Sequence, residues 1–382
     1  MAKKKAARKK TAPKNKVKKV SKLSRGKSMK AMVFYEKETM KLEEKRIPEP
    51  ADDELLVKVE ACGFCGSDLA YYFGASSLET KTGKGPLVLG HEFTGTVIKV
   101  GRTPRRMGMF EEGDRVVMDP VQACNTCEYC IKGKTNLCAK MSVLGVSTDG
   151  GFEEYCVTKY TGTKKLPDDV SFEIGAIIEP LACATYAIQN TNIQPGNFVV
   201  IYGPGPIGFV MTQLAKASGA GHVVMVGTRD YRLNLCKKAG ADTVLNPVAP
   251  NSKHYCADVC KKIEDLTDGL MADRAILATS SVPAMEEALA ITGKASTVVY
   301  FGLPGDADMV RVPALQSMFG DKTIRFSWLA PFTWPTAINA ISKGLVDLSP
   351  LVTHKVKLDK TEEYLVMLSE RKEGIMKAIV IP

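Results

Sequence analysis

Two rhythms of apolar and polar residues divide the chain. From Met29 to about Ile178, short apolar runs such as LLVKVEACG (55–63) and FTGTVIKVG (93–101) alternate with Gly-rich turns, the mark of a mainly β segment. Beyond it the period changes. The run NFVVIY (197–202) is followed by a Gly turn, the helical stretch IGFVMTQLAKASGA (207–220), then HVVMVG (222–227), the helix YRLNLCKKAG (231–240) and TVLN (243–246). A helix over HYCADVCKKIEDLTDG (254–269), the strand RAILAT (274–279), the helix PAMEEALAIT (283–292) and the strand STVVYFG (296–302) extend the same alternation. Repeated β-α-β predicts a doubly wound parallel sheet, so the fold class is α/β with a mainly β unit beside it. From about Arg325 the alternation stops, and the closing run MKAIVIP (376–382) reads as a strand returning to the first unit.

A chain of 382 residues is too long for one ordinary core, which agrees with two units. The expected division is 29–178 with 325–382 as one domain and 179–324 as the other, preceded by a tail over 1–28. That tail changes how the net charge of +10 is read, because it holds thirteen Lys or Arg and no acid and leaves the remainder mildly acidic. It cannot bury enough apolar surface to offset its ordering entropy and is expected to be disordered, binding nucleic acid at most weakly through charge. A start at Met29, which opens the strand-like MKAMVFY, is the competing explanation. No apolar run approaches the roughly 20 residues needed to cross a bilayer and no secretory leader is visible, so no membrane partner and a cytoplasmic location are expected.

Eleven cysteines raise the question of disulfides, but four of them, Cys124, Cys127, Cys130 and Cys138, form C-x2-C-x2-C-x7-C. Thiolates this close in sequence converge on one tetrahedral zinc at about 2.3 Å each. Such a site is coordinatively closed and structural. A pair of disulfides, or unrelated buried thiols, is the competing reading; an iron–sulfur cluster lacks its accompanying spacing. A second set of donors comes from separate loops, with Cys65 in CGFCGSD and His91 and Glu92 in GHE. A thiolate, an imidazole and a carboxylate are the mixed ligands of an open, catalytic zinc. Each alone is weak, since a lone His or Cys is more often a core residue.

The joint pattern of CGSD, GHE, the cysteine lobe, IIEP, GPGPIG and PLVTH resembles the zinc-containing medium-chain alcohol dehydrogenases, in particular the sorbitol and polyol (and threonine) dehydrogenase branch, over nearly everything from Met29 onward. The resemblance implies a GroES-like catalytic domain, a Rossmann coenzyme domain, one catalytic and one structural zinc, and a dimer or tetramer joined through the coenzyme domain. It makes Cys65 and His91 ligands, with Glu92 and Glu179 both candidates for the acidic one. It casts Asp68 as the acid that steadies His91 and Ser67 as the hydroxyl that relays the substrate proton. Where relatives carry a histidine three positions after Ser67, this chain has Ala70, then Tyr71 and Tyr72, so proton exit is expected through water or a tyrosine.

Gly203, Gly205, Pro206, Ile207 and Gly208 form the glycine turn between strand and helix where a dinucleotide pyrophosphate rests on a helix N-terminus. At the end of the next strand, where NAD-preferring enzymes usually carry an acid, stand Gly227, Thr228 and Arg229. Losing the carboxylate removes repulsion toward a 2′-phosphate and Arg229 can pair with it, so NADP is favoured over NAD. The triplet is similar to the Gly-Ser-Arg of NADP-dependent bacterial secondary alcohol dehydrogenases. Where sorbitol-type enzymes place an Arg-Tyr pair, the stretch FSWLAPFTWP (326–335) offers Leu329 and Ala330, and Trp328, Phe332 and Trp334 add apolar walls or simply pack. The expected reaction is hydride transfer between a secondary alcohol (polyol, diol or similar) and NAD(P), giving a ketone. A nucleic-acid-binding zinc protein using the basic tail and a catalytically inactive zinc scaffold are the rival readings. His222, His254 and His354 have no assignable role.

Overall fold

The computed structural model describes residues 26–76, 85–370 and 374–382. Residues 1–25 of the expected basic tail lie outside them, and the strand Ser28–Glu36 begins where that tail was expected to end. A seven-stranded sheet builds the first unit, in the order Thr163–Lys165, Arg115–Met118, Glu92–Val100, Glu54–Gly63, Lys377–Ile381 and Val352–Lys357, with Tyr155–Lys159 also paired to Glu54–Gly63. Its central strand is buried on both faces, as its near-continuous apolar run requires. Two register irregularities, at Leu56/Val57 and Val59/Ala61, bend the pairing with Glu92–Val100. The register places Gly63 opposite Glu92, and the closing strand pairs Ile379 with Gly63 and Val380 with Cys62. The chain's last strand therefore returns beside the CGFCGSD segment, as its apolar pattern predicts.

The second unit is a six-stranded parallel sheet in the order Thr243–Leu245, His222–Val226, Phe198–Tyr202, Ala272–Leu277, Thr292–Tyr300 and Thr323–Phe326. This is the doubly wound order, whose switch point lies between Phe198–Tyr202 and Ala272–Leu277. Helices cover both faces. The helix Ile178–Thr191 is buried almost all round, ends on Asn192 in a left-handed conformation (φ 52°), and packs against Pro206–Ala217 and Trp334–Ser342. It joins the two units, and Thr333 Oγ1 donates to the Ala182 carbonyl across that seam at 2.8 Å. One core fills the β unit around Phe34, Phe93 and Phe152; two more cover the faces of the parallel sheet.

One element is shorter than its periodicity predicts. The helix expected over 254–269 spans Val259–Leu266, capped by Asp258, whose side chain accepts from Lys261 N at 2.8 Å. The reason is competition for backbone groups, because Asn246 N donates to the His254 carbonyl and Cys256 N donates back to the Asn246 carbonyl, which holds 254–256 in an extended bridge. No helix among the described residues is long and apolar enough to cross a membrane.

Candidate metal centres and coenzyme cleft

The side chains of Cys65, His91 and Glu92 bring their ligand atoms within 4.8 Å of one another. Cys65 is the N-cap of the short helix Gly66–Tyr72, and Asp68 inside that helix accepts from Cys65 N at 2.8 Å and from Gly90 N at 3.3 Å. The same buried carboxylate lies 3.3 Å from His91 Nδ1. With Nδ1 facing Asp68, Nε2 is the ring atom left for an ion, and it stands 3.3 Å from Ser67 Oγ. Burial opposes charging the imidazole, yet the charges of Asp68 and Cys65 outweigh it and hold its pKa well above the usual range. A divalent cation answers that demand for positive charge among a thiolate and carboxylates, so the donor set fits zinc.

Glu92 is fully buried, and Lys377 from the closing strand stands 2.6 Å from its Oε1 and 2.5 Å from its Oε2. Gly63 leaves room for it: a Cβ there would come 2.6 Å from Glu92 Oε2 and displace the carboxylate. Burial raises the Glu92 carboxyl and Lys377 opposes the shift. Glu179, on the first turn of Ile178–Thr191, is buried but stands outside the trio of converging donors; it accepts from Cys183 Sγ at 3.2 Å. Its charge still reaches the centre, raising Glu92 further.

Sequence reasoning missed Lys377. A single Lys in an apolar strand looks like a residue at a frayed chain end, and only the pairing of Lys377–Ile381 with Glu54–Gly63 carries it to the acid. A buried-strand pattern with one cation in its first position was the available signal. The two tyrosines considered for the proton path are both buried: Tyr71 stacks edge-on against Phe34 and Tyr72 gives its hydroxyl to Glu362 at 3.0 Å. Trp334 lies in the core, whereas Trp328 and Phe332 are exposed. The remaining histidines have packing roles: His222 stacks on Phe198, while His254 and His354 bond Asn234 and Thr353.

The four cysteines of the lobe, Cys124, Cys127, Cys130 and Cys138, also converge within 4.8 Å, with Cys124 and Cys130 sulfurs 4.0 Å apart. Sulfurs around a tetrahedral zinc stand about 3.8 Å apart, so the spacing fits. None is in a disulfide. Backbone amides are already aimed at the sulfurs: Cys127 N donates to Cys124 at 3.3 Å, Cys124 N to Cys138 at 3.3 Å and Lys140 N to Cys138 at 3.4 Å. The Thr126 amide and hydroxyl and the Cys127 amide pull the Cys124 thiol down to about 5, and the Cys130 amide lowers Cys127, whereas burial pushes Cys130 up to about 12. Among the described residues of this lobe the buried apolar side chains are Ala123, Cys130 and Cys138, and the polar Asn136 is buried beside them. It has no apolar core worth the name.

The glycine turn follows Phe198–Tyr202 at the switch point. Gly203 has φ 99°, which a side chain resists, and a Cβ on Gly208 would sit 1.9 Å from the Gly203 carbonyl. Gly205 differs: nothing lies within 4 Å of its Cβ position, so the space above the N-terminus of Pro206–Ala217 is open to an anion. No side chain caps that helix, and its first amides are left for a phosphate; Ile207 lies in the first turn. Gly227 ends the neighbouring strand, and a Cβ there would meet Pro204 Cδ at 2.2 Å. Thr228 is exposed and Arg229 is the N-cap of Asp230–Lys238.

Residues 51–168 match the family model of the alcohol dehydrogenase GroES-like domain, and residues 206–343 match that of the zinc-binding dehydrogenases. A sorbitol dehydrogenase of Bacillus subtilis is 31% identical over 358 residues, 93% of this chain and 98% of its own. A zinc-binding dehydrogenase of Sinorhizobium meliloti solved with NADP superposes with a TM-score of 0.84 at 27% identity, covering 93% of this chain and all of its own. The 2R,3R-butanediol dehydrogenase of Bacillus subtilis gives 0.83 at 27% identity with 93% and 100% coverage. The matched segments include the donors of both metal centres and the helix after the glycine turn, which a nucleic-acid-binding zinc ribbon would leave without a role.

Proposed function

We propose, for a chain that belongs to the zinc-containing medium-chain alcohol dehydrogenases and within them to the sorbitol dehydrogenase-like branch, that it interconverts a secondary alcohol of a diol or polyol and the corresponding ketone using NADP(H). The observation that carries this reading is the convergence of half-buried Cys65 with buried His91 and Glu92, three donors of different chemistry, with Asp68 beside the His91 ring. Zinc held by these residues would supply a Lewis acid for the alcohol oxygen, and a bound nicotinamide coenzyme would supply the hydride acceptor. Ser67 stands beside His91 and is the group to take the alcohol proton. Asp68 lies 3.3 Å from His91 Nδ1, which leaves Nε2 for the site, and Lys377 balances the buried charge of Glu92. Glu92 is the acidic ligand in this reading, and Glu179 acts on the centre by its charge. With Tyr72 committed to Glu362, proton exit from Ser67 runs through water.

Gly203–Gly208 would hold the pyrophosphate of a bound coenzyme, and Gly227, Thr228 and Arg229 its adenosine end. Absence of a side chain at Gly227 and the neighbouring Arg229 support NADP(H). Leu329 and Ala330 leave the pocket with few partners for a many-hydroxyl substrate, which favours a short diol. In this reading the zinc unit is 29–178 with the end of the chain, and the coenzyme unit begins at 179 and takes in the whole edge strand Thr323–Phe326, two residues past the expected boundary at 324. That edge strand and the exposed Met318, Phe319 and Phe326 support a dimer or tetramer built through the coenzyme unit.

Metal analysis combined with oxidation of sorbitol, butane-2,3-diol and propan-2-ol in each coenzyme tests the reading. Two zinc ions per chain, NADP⁺-linked activity lost on chelation and regained with zinc, and a coenzyme preference weakened by Arg229→Ala are expected. Activity that survives chelation, or a preference for NAD⁺ that Arg229→Ala leaves alone, overturns it.

A further inference from the structure

The turn at Gly227, Thr228 and Arg229 runs directly into the helix Asp230–Lys238, so a carboxylate stands one place beyond the arginine. An acid free to swing toward a 2′-phosphate would repel it and favour the coenzyme that lacks one. Asp230 is not free. Its Oδ1 accepts from the Asn246 side-chain amide at 2.9 Å and from Ser252 Oγ at 2.6 Å, and its Oδ2 lies 2.8 Å from the same hydroxyl. The Ser252 and Asn246 hydrogen bonds hold its pKa below the ordinary carboxylate value, so it is charged at neutral pH and the direction it faces is what matters.

The partners of Asp230 belong to one loop that is closed on itself. Asn246 Oδ1 accepts from Val248 N and Ala249 N at 3.2 Å each, Ser252 Oγ accepts from His254 N at 2.9 Å, and the backbone of Asn246 exchanges bonds with residues 254 and 256. This ring follows the third strand of the parallel sheet, beside the turn where the adenosine end is placed, and carries the exposed Lys253 next to Ser252. Clamping Asp230 into the ring turns its carboxylate toward the loop. It also fixes a cation-bearing segment against the start of the helix that Arg229 caps.

We propose that Asp230, Ser252 and Asn246 form a clasp that sets coenzyme choice by confining the Asp230 carboxylate to the 246–254 loop, which keeps it away from the 2′-phosphate of NADP(H). The proposal rests on the NADP(H) reading above. Ser252 and Asn246 are positioning residues here, acting through Asp230.

Calorimetric titration of the full chain with 2′,5′-ADP and with 5′-AMP reads the adenosine pocket without alcohol, hydride or the catalytic metal. The parent protein should bind 2′,5′-ADP more tightly. Ser252→Ala, which releases the carboxylate, should weaken 2′,5′-ADP by about tenfold while 5′-AMP stays within about twofold. The double variant Ser252→Ala with Asp230→Asn, which removes the released charge, should regain most of the loss, and KM for NADP⁺ should follow the same order with KM for NAD⁺ nearly constant. A Ser252→Ala protein that loses both ligands equally, or that Asp230→Asn fails to rescue, overturns the clasp and leaves the NADP(H) reading standing. A parent protein that binds 5′-AMP as well as 2′,5′-ADP overturns both.

Discussion

The two metal centres are built on opposite plans. In the cysteine lobe every donor comes from residues 124–138, backbone amides are aimed at the sulfurs, and the buried apolar cluster amounts to Ala123 with two of the donors, Cys130 and Cys138. In the other centre the donors come from two distant loops and are fixed by groups outside the ligand set: Asp68 behind His91, Lys377 across from Glu92, and a sheet register that brings Gly63, Glu92 and the closing strand together. On the reading proposed above, the lobe would need an ion in order to fold, whereas the open centre is held by its surroundings and would use its ion for chemistry. Closed coordination goes with a missing core, and an open corner goes with a surplus of support.

The sharpest way to break that contrast is to delete one donor from each. His91→Ala should abolish coenzyme reduction while thermal unfolding stays close to that of the parent. Cys127→Ser should lose one zinc equivalent and melt much earlier, with turnover per folded molecule largely kept at low temperature. If His91→Ala also melts early, the division between the two plans fails. A smaller effect tests the support around the open centre: Lys377→Met leaves Glu92 buried without its cation and should cost about 3–5 kcal/mol by denaturant titration.

The smallest effect lies between the two centres, at Asp119, which ends the region of Arg115–Met118 and precedes the lobe. Burial lifts its carboxyl to about 7 from 3.8, against the Val121 amide and Lys164. A carboxyl raised in the folded state adds stability that is full below its unfolded value and is lost as the pH climbs through about 7. Asp119→Asn should therefore flatten the fall in melting temperature between pH 4 and pH 7, and an unchanged slope would show that this group carries no such linkage.

What was legible in the sequence followed from local rules. The parallel sheet shows in strand-length apolar runs separated by helical periods, the pyrophosphate turn in glycines placed between a strand and a helix, and the lobe in cysteine spacing. The open centre was only partly legible, because CGSD and GHE name the donors but not the supports. Lys377 becomes visible only through strand pairing, and Glu179 and Glu92 cannot be ranked until one of them lies with Cys65 and His91. The start of the Val259–Leu266 helix was misjudged for a similar reason, since the backbone of 254–256 is claimed by Asn246, a residue eight positions upstream of His254.

The close approach of Pro204 to Gly227 has a consequence for redesign. With the NADP(H) preference proposed above, conversion to the unphosphorylated coenzyme would call for an acid at the strand end. Here any side chain at that position would strike the proline ring in the neighbouring loop. The exchange would need paired changes at both places, and libraries that vary either alone would miss it.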